Sequence, residues 1–229
     1  MSLPLMERIE KDIKKICLYL RTEDFFIDIR LPIKNKNILS STHTQKFLKN
    51  KESYSNFFKI ISQENNYLAM LKDGSLVTAY YEFESNNILK KASLIYYPNP
   101  GFIPQSLDIF KDYLSSNFYE ENSADLKRDY LSNSIRVDFN KQDQKEIYHP
   151  CSHLHMGLAS YRIAIDKFPF FSDFLELILF LNYPSEWKNL FLKEMSLLEY
   201  IQKRKNSLIN LSCDGNLTPS ELKYHFFNF

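Results

Sequence analysis

The stretch YHPCSHLHMG, residues 148–157, contains three of the five histidines of the chain within seven consecutive positions. Leu154 and Met156 alternate with His153 and His155, and successive side chains of a strand point to opposite faces of a sheet. The alternation therefore predicts a strand with one apolar face and one face that presents two imidazoles. Imidazole is the side chain best suited to acid–base or metal chemistry near neutral pH, so this stretch is the first candidate for a site.

The segments on both sides of this stretch also alternate as strands do. Residues 134–139 read SIRVDF, and residues 160–166 read SYRIAID. If the three strands pair as an antiparallel meander over one apolar core, their polar side chains collect on a single face. That predicted polar face contains Arg136, Asp138, His153, His155 and Arg162.

The composition is that of an ordinary globular protein of 229 residues, with 44% hydrophobic and 25% charged residues. This length is sufficient for a sizeable core in one domain. The net charge of +1 gives no strong field that would attract nucleic acid or a membrane surface along the whole chain. A neutral total is still compatible with a local cluster of cations.

The cysteines and the lengths of the apolar runs indicate in which cellular compartment the protein is expected. Cys17, Cys151 and Cys213 are odd in number and form no CxxC pair, which is typical of reduced thiols in a cytoplasmic protein. Charged residues follow soon after Met1, so no signal peptide is visible. The longest apolar run, near residues 174–181, is too short to span a membrane. We therefore expect a cytoplasmic protein without a membrane partner.

Hydrophobic periodicity divides the chain into helical and extended parts. Apolar spacing predicts an N-terminal helix over residues 5–20, a strand over 25–31 and a second helix over 54–62. Residues 35–50 are polar and show no clear period. Strands dominate the sheet region from residue 67 to residue 166.

A β-hairpin is predicted where Asp73 and Gly74 separate two β-like runs, residues 67–71 and 75–83. An Asp-Gly pair favours a tight hairpin turn because glycine readily adopts the positive φ that the turn requires. Residues 89–97 are expected to return as a third strand.

The second half of the chain is expected to be mainly helical outside its strands. Helices are predicted over residues 102–119, 172–181 and 185–211, and Ser172 has the side chain of an N-cap. The C-terminal helical part covers residues 170–229.

These elements predict one α+β domain, residues 1–229, in which an antiparallel sheet of about five to seven strands has helices on one face and at both termini. The last four residues contain three aromatic side chains, Phe226, Phe227 and Phe229. Such a segment is expected either to dock on the body of the protein or to bind a partner.

The motifs of this chain resemble a bacterial family, the domain-of-unknown-function family 2290. The matching segments are Asp73-Gly74-Ser75, Tyr96-Tyr97-Pro98-Asn99-Pro100, Ile135-Arg136-Val137-Asp138, residues 149–157, Arg162-Ile163 and residues 178–183. The resemblance implies no settled activity, but it implies a gene context beside restriction, toxin–antitoxin and phage-defence genes. A smaller likeness to TumE-type toxins rests on the Arg-x-Asp strand that precedes the His-x-His strand.

The first functional hypothesis is a metal-independent ribonuclease. Cleavage of a phosphodiester requires a group that accepts a proton and a group that donates one, and two imidazoles suit both tasks. Guanidinium groups suit the charge that develops on the phosphorus centre. A phosphate is expected to fit between the rings of His153 and His155. The predicted catalytic residues are His153, His155, Asp138, Arg136, Arg162 and His149.

Two other hypotheses remain open. His149, His153, His155 and Asp138 could hold Zn²⁺ or Mn²⁺ in a metal-dependent hydrolase, although the neighbouring arginines disfavour a cation, so no cofactor is predicted. Alternatively the histidines form a structural hydrogen-bond network, and the protein is a non-catalytic adaptor for an ATPase or nuclease encoded nearby. Cys151 lacks the surroundings of a catalytic cysteine and is expected to be a buried thiol.

Overall fold

The computed structural model describes residues 3–21, 24–41, 54–84, 88–100, 134–145, 149–157, 162–165 and 167–193. The predicted helix over residues 102–119 and the aromatic C-terminal segment lie outside these residues. So do most of the predicted helix over residues 185–211 and the outer residues of the predicted strand over 160–166.

The described residues form four helices and nine strands, and the predicted α+β class is confirmed. The helices are α1 (Leu5–Leu20), α2 (Tyr54–Gln63), α3 (Phe171–Asn182) and α4 (Pro184–Lys193). The strands are β1 (Phe26–Ile29), β2 (Ile33–Asn35), β3 (Ile38–Ser40), β4 (Ala69–Leu71), β5 (Leu76–Phe83), β6 (Leu89–Tyr97), β7 (Ile135–Asn140), β8 (Ser152–Met156) and β9 (Ile163–Ala164).

The strands form one antiparallel sheet in the order β1-β4-β5-β6-β7-β8-β9, and β3 pairs with both β2 and β5. The predicted hairpin joins β4 to β5, and Gly74 has the positive φ, 81°, that its turn requires. The predicted meander of the histidine strand with its two neighbours is also present, as β7, β8 and β9.

The sheet has more strands than the five to seven that the sequence predicts, because residues 33–40 form the small hairpin of β2 and β3. Lys36 has a positive φ of 47° in the turn of this hairpin, a conformation that the sequence does not signal without glycine. Most side chains of β2 are exposed, so the segment lacks the apolar alternation by which a strand is recognised.

The sheet is covered on both faces at its centre. The helices α1 and α3 pack on one face, as predicted, against side chains that include Leu94 and Tyr96 of β6. In contrast, α2 packs on the opposite face, where Ile95 and Tyr97 of the same strand contribute to a second apolar cluster. This second apolar cluster contains side chains of both α2 and β6. On the same face of the sheet, the neighbouring strands β7 and β8 carry polar side chains.

The N-terminus of α3 is capped from another helix. Ser172, predicted as the N-cap, lies within the first turn, so that prediction is wrong. Asp12 of α1 accepts hydrogen bonds from the backbone N–H of Ser172 at 3.2 Å and from its hydroxyl at 2.8 Å. Asp173 accepts a bond from the N–H of Phe170 at 3.0 Å. Carboxylates at this end of a helix are favoured by the unpaired N–H groups and the helix dipole.

We expect Asp12→Ala to lower the free energy of unfolding by about 2 kcal/mol, because two donors of Ser172 lose their acceptor in a buried environment. Urea denaturation followed by far-UV circular dichroism measures the change. Lys11→Ala, an exposed position of the same helix, is the matched control and should be close to neutral. Equal stability of the two variants would show that this cap contributes nothing.

Within the described ranges, every helix is too short or too polar to cross a bilayer.

Candidate functional site

The register of β7 and β8 places the predicted polar residues side by side. Arg136 pairs directly with His155, and Asp138 pairs directly with His153, so the four side chains share one face of the sheet. The predicted common face is therefore confirmed. The intervening residues, including Val137 and Leu154, point into the main apolar core on the other face.

Asp138 lies at the centre of this group. Its Oδ1 accepts a hydrogen bond from the hydroxyl of Ser93 at 2.6 Å. Its Oδ2 forms an ion pair with Nε of Arg136 at 2.7 Å and lies 3.9 Å from Nε2 of His153 and 3.6 Å from Nε2 of His155. One carboxylate thus orients a guanidinium and faces two imidazoles.

His153 is held in one tautomer by the backbone. Its Nδ1 lies 2.8 Å from the carbonyl oxygen of Pro150. Since a carbonyl oxygen only accepts hydrogen bonds, Nδ1 carries the proton, and the neutral ring has its lone pair on Nε2. That lone pair is on the nitrogen that faces Asp138.

The histidine rings pack against each other. His153 and His155 are 4.7 Å apart between ring centroids, and His149 and His153 are 4.9 Å apart, both in edge-to-face contact. The expectation that a phosphate fits between the rings of His153 and His155 is therefore wrong, because neighbouring rings at this distance leave no gap. Nε2 of His155 is buried and has no hydrogen-bond partner among the described residues.

The group opens into a cavity of about 170 Å³. Its lining combines the histidines and Asp138 with three cationic residues, one each from β6, β7 and the segment that leads into β9. The lining residues are Lys91, Ala92, Arg136, Asp138, Phe139, Asn140, Asp143, His149, His153, His155 and Arg162. All six predicted site residues therefore lie at one cavity.

Burial disfavours the charged form of both central histidines, which are only 2% and 5% exposed. It lowers the pKa of His153 from 6.5 to about 4, against the opposing effects of the Pro150 carbonyl and Asp138. Burial, with the positive charge of Arg136 next in importance, lowers the pKa of His155 to about 3. Both imidazoles are consequently neutral at physiological pH, so neither is a ready proton donor in the free protein.

These lowered pKa values predict that the metal-free protein loses stability as the pH falls. The unfolded chain binds protons on these histidines below its pKa of about 6.5, whereas the folded chain does not until pH about 4 or lower. Each histidine should therefore reduce the free energy of unfolding by about 2 kcal/mol between about pH 7 and about pH 5. Urea denaturation in the presence of a chelator at each pH measures this loss.

The variant His155→Gln provides the comparison, because its glutamine does not titrate. Its stability should decline less steeply than that of the wild type over the same pH range. Parallel profiles would mean that the folded protein protonates His155 as readily as the unfolded chain does.

Three parts of the site were not predicted from the sequence. Ser93 donates to Asp138 and Lys91 lines the cavity, and both belong to β6, whose pairing with β7 is not visible in the sequence. The carbonyl of Pro150 orients His153, and this backbone contact is not indicated by the side-chain pattern of the sequence. Cys151 is buried in the main apolar core, as expected of a structural thiol.

Other motif residues form a separate hydrogen-bonded cluster at the β4–β5 turn. Tyr183 donates to the carboxylate of Asp73, and the side chain of Asn99 donates to the carbonyl of Asp73 at 2.7 Å. The hydroxyl of Ser75 accepts from the N–H of Asn99 at 3.0 Å and from Tyr96 at 3.3 Å. These contacts join the turn to the end of β6 and to the end of α3, and so have a structural role.

The chemistry available to the site follows from the atoms that converge. Ligand atoms of Asp138, His153 and His155 all lie within 4.8 Å of one another, so this trio is able to hold a metal ion, and His149 is not part of it. Without a metal, the neutral imidazoles present lone pairs to a nucleophile, but their lowered pKa values make them weak bases. In either case Arg136, Arg162 and Lys91 favour an anionic ligand.

A family model described as "Uncharacterized conserved protein (DUF2290)" matches residues 27–214. The match includes every residue of the cavity and most of the sheet, and it confirms the family predicted from the motifs. No curated protein and no solved structure matches the chain. The chain therefore belongs to the DUF2290 family.

Proposed function

We propose that this protein cleaves phosphodiester bonds in RNA, in the bacterial cytoplasm, as a component of a toxin–antitoxin or phage-defence operon that also encodes a protein partner. The observation that supports the proposal is the shared cavity, in which the cluster of Asp138, His153 and His155 lies beside three cationic side chains. The operon context rests on the family resemblance.

The cationic side chains suit a phosphate ligand. Arg136 and Arg162 present guanidinium groups, whose fixed donor geometry matches phosphate oxygens, and Lys91 adds a third positive charge to the lining. Arg162 is exposed at the cavity, where it is accessible to a large substrate such as RNA. These groups would also stabilise the charge that develops on phosphorus during cleavage.

The histidine–aspartate cluster supplies the means to activate a nucleophile. The neutral His153 presents a lone pair on Nε2, and Asp138 and His155 lie close to that atom. RNA is the favoured substrate because its 2′-hydroxyl distinguishes it from DNA and offers an internal nucleophile beside the phosphate. His149 lines the same cavity and is the candidate donor of a proton to the leaving oxygen.

Inducible expression in a bacterial host tests this function. We expect the wild type to arrest growth and to fragment RNA, and His155→Ala to do neither. Lys72→Ala removes one positive charge from the exposed turn between β4 and β5, away from the cavity, and should behave as the wild type does. Intact RNA and normal growth with the wild type, both alone and with its neighbouring genes, would instead favour the adaptor function.

A further inference from the structure

We propose that Asp138, His153 and His155 together bind one divalent transition-metal ion, of the Zn²⁺ or Mn²⁺ class, through a carboxylate oxygen and two Nε2 atoms. The role of this ion in catalysis rests on the proposed function, but its binding does not. The neighbouring arginines disfavour a cation when only the sequence is considered, but the geometry of the three ligand atoms favours one.

The orientation of His153 favours a cation at this position. Its Nδ1 donates to the carbonyl of Pro150, so the lone pair of the neutral ring is on Nε2, 3.9 Å from the carboxylate oxygen of Asp138. Two electron-pair donors therefore face each other at a distance too long for a hydrogen bond. A cation between Nε2 and the carboxylate oxygen would be attracted by both atoms. In histidines that bind metals, the ring nitrogen that does not bind the metal usually donates a hydrogen bond, often to a backbone carbonyl, as Nδ1 of His153 does here.

The buried Nε2 of His155 also favours a cation. Its Nε2 points to the same carboxylate oxygen at 3.6 Å, and it has no hydrogen-bond partner among the described residues. The side chain is only 7% exposed, and buried polar atoms are normally paired. Coordination of a metal ion would satisfy this atom.

The candidate ligand atoms are already close to the spacing that a common ion requires. All of them lie within 4.8 Å of one another, and bonds of about 2.0–2.2 Å to a common ion would require them to approach by about 1.5 Å or less. Asp138 is already oriented by Ser93 and by Arg136, as carboxylate ligands commonly are. Two imidazoles favour a transition metal over Mg²⁺ or Ca²⁺, which prefer oxygen ligands.

Three protein ligands would leave coordination positions for water and for the substrate, which is the pattern of catalytic rather than structural metal sites. Arg136 would lie close to the ion, but its ion pair with Asp138 partly neutralises the positive charge of the guanidinium. The excess positive charge of the combined site is then balanced when a phosphate binds. We therefore expect metal affinity to rise in the presence of inorganic phosphate or a non-cleavable RNA.

The full-length protein, stripped with a chelator and dialysed, tests the inference by calorimetric titration with Zn²⁺ and with Mn²⁺. We expect one equivalent to bind, and we expect Co²⁺ to produce visible absorption bands of an imidazole–carboxylate site. His155→Ala should weaken binding by at least about a hundredfold. Asp24→Asn, which changes an exposed carboxylate far from the cavity lining, should bind as the wild type does.

Thermal melting establishes that each variant is folded, and His155→Gln replaces His155→Ala if the alanine variant is not. Ser93→Ala, which removes only the bond to Asp138, should weaken binding by about tenfold. No binding by the folded wild type, or equal binding by wild type and His155→Ala, would overturn the metal site.

The same samples separate this inference from the proposed function. If the protein binds one metal ion but leaves RNA intact, the metal site is supported and the ribonuclease function is disproved. If the protein binds no metal and cleaves RNA equally well with chelator, the ribonuclease function is supported and the metal site is disproved.

Discussion

Replacing Asp138 by asparagine is expected to slow RNA cleavage by about a thousandfold or more while leaving the fold intact. The change keeps the shape of the side chain but removes its negative charge. Arg136 then loses its ion-pair partner at 2.7 Å, and both imidazoles lose the carboxylate oxygen that they face. Since this one carboxylate orients Arg136 and also faces both imidazoles, the loss should exceed that from any of its partners.

Single-turnover cleavage of a labelled RNA measures this effect, with Asp24→Asn as the matched control for the loss of one carboxylate. The comparison with Ser93→Ala is informative, because that change removes only the hydrogen bond to Oδ1. We expect Ser93→Ala to slow cleavage by about tenfold to a hundredfold. If Asp138→Asn cleaves as fast as Asp24→Asn does, Asp138 has no part in catalysis.

The second large effect is expected for Arg162→Ala, which should slow cleavage by about a hundredfold or more. Arg162 lines the cavity from the segment that enters β9, and its side chain is exposed. Its removal should therefore change the free energy of unfolding by less than about 0.5 kcal/mol. A guanidinium that stabilises the charge on phosphorus contributes mainly to the rate constant rather than to substrate binding.

Two comparisons separate charge from geometry at this position. Arg162→Lys keeps the charge but loses the forked donors, so it should recover only part of the rate. Lys72→Ala removes an exposed positive charge away from the cavity and should leave the rate unchanged. If Arg162→Ala binds RNA more weakly but has an unchanged rate constant, Arg162 contributes to substrate binding and does not stabilise the transition state.

The composition of the site could be predicted because strand periodicity is a local property. The alternation of residues 134–139 and 152–156 places Arg136, Asp138, His153 and His155 on one face whenever β7 and β8 pair in this register. The apolar residues between them, such as Val137 and Leu154, face the main core, so the polar residues lie on the opposite face.

The remaining features depend on contacts between distant parts of the chain. Ser93 is 45 residues from Asp138 in sequence, and its role is decided by the pairing of β6 with β7. Asp12 caps α3 from 160 residues away, so the local capping signal at Ser172 was misleading. The contact between the imidazole rings depends on side-chain rotation, and this contact overturned the expectation of a phosphate between them.

The central claim is that the cluster around Asp138 cleaves RNA, and single-turnover cleavage of one end-labelled RNA by purified protein tests it most directly. The reaction is followed with Mn²⁺, with Zn²⁺ and with chelator, for the wild type and for His155→Ala samples that melt cooperatively. We predict cleavage by the wild type in at least one of these conditions, and a rate at least about a hundredfold lower for His155→Ala under the same condition. Equal rates for the two proteins, or intact RNA with the wild type in all three conditions, would contradict the claim.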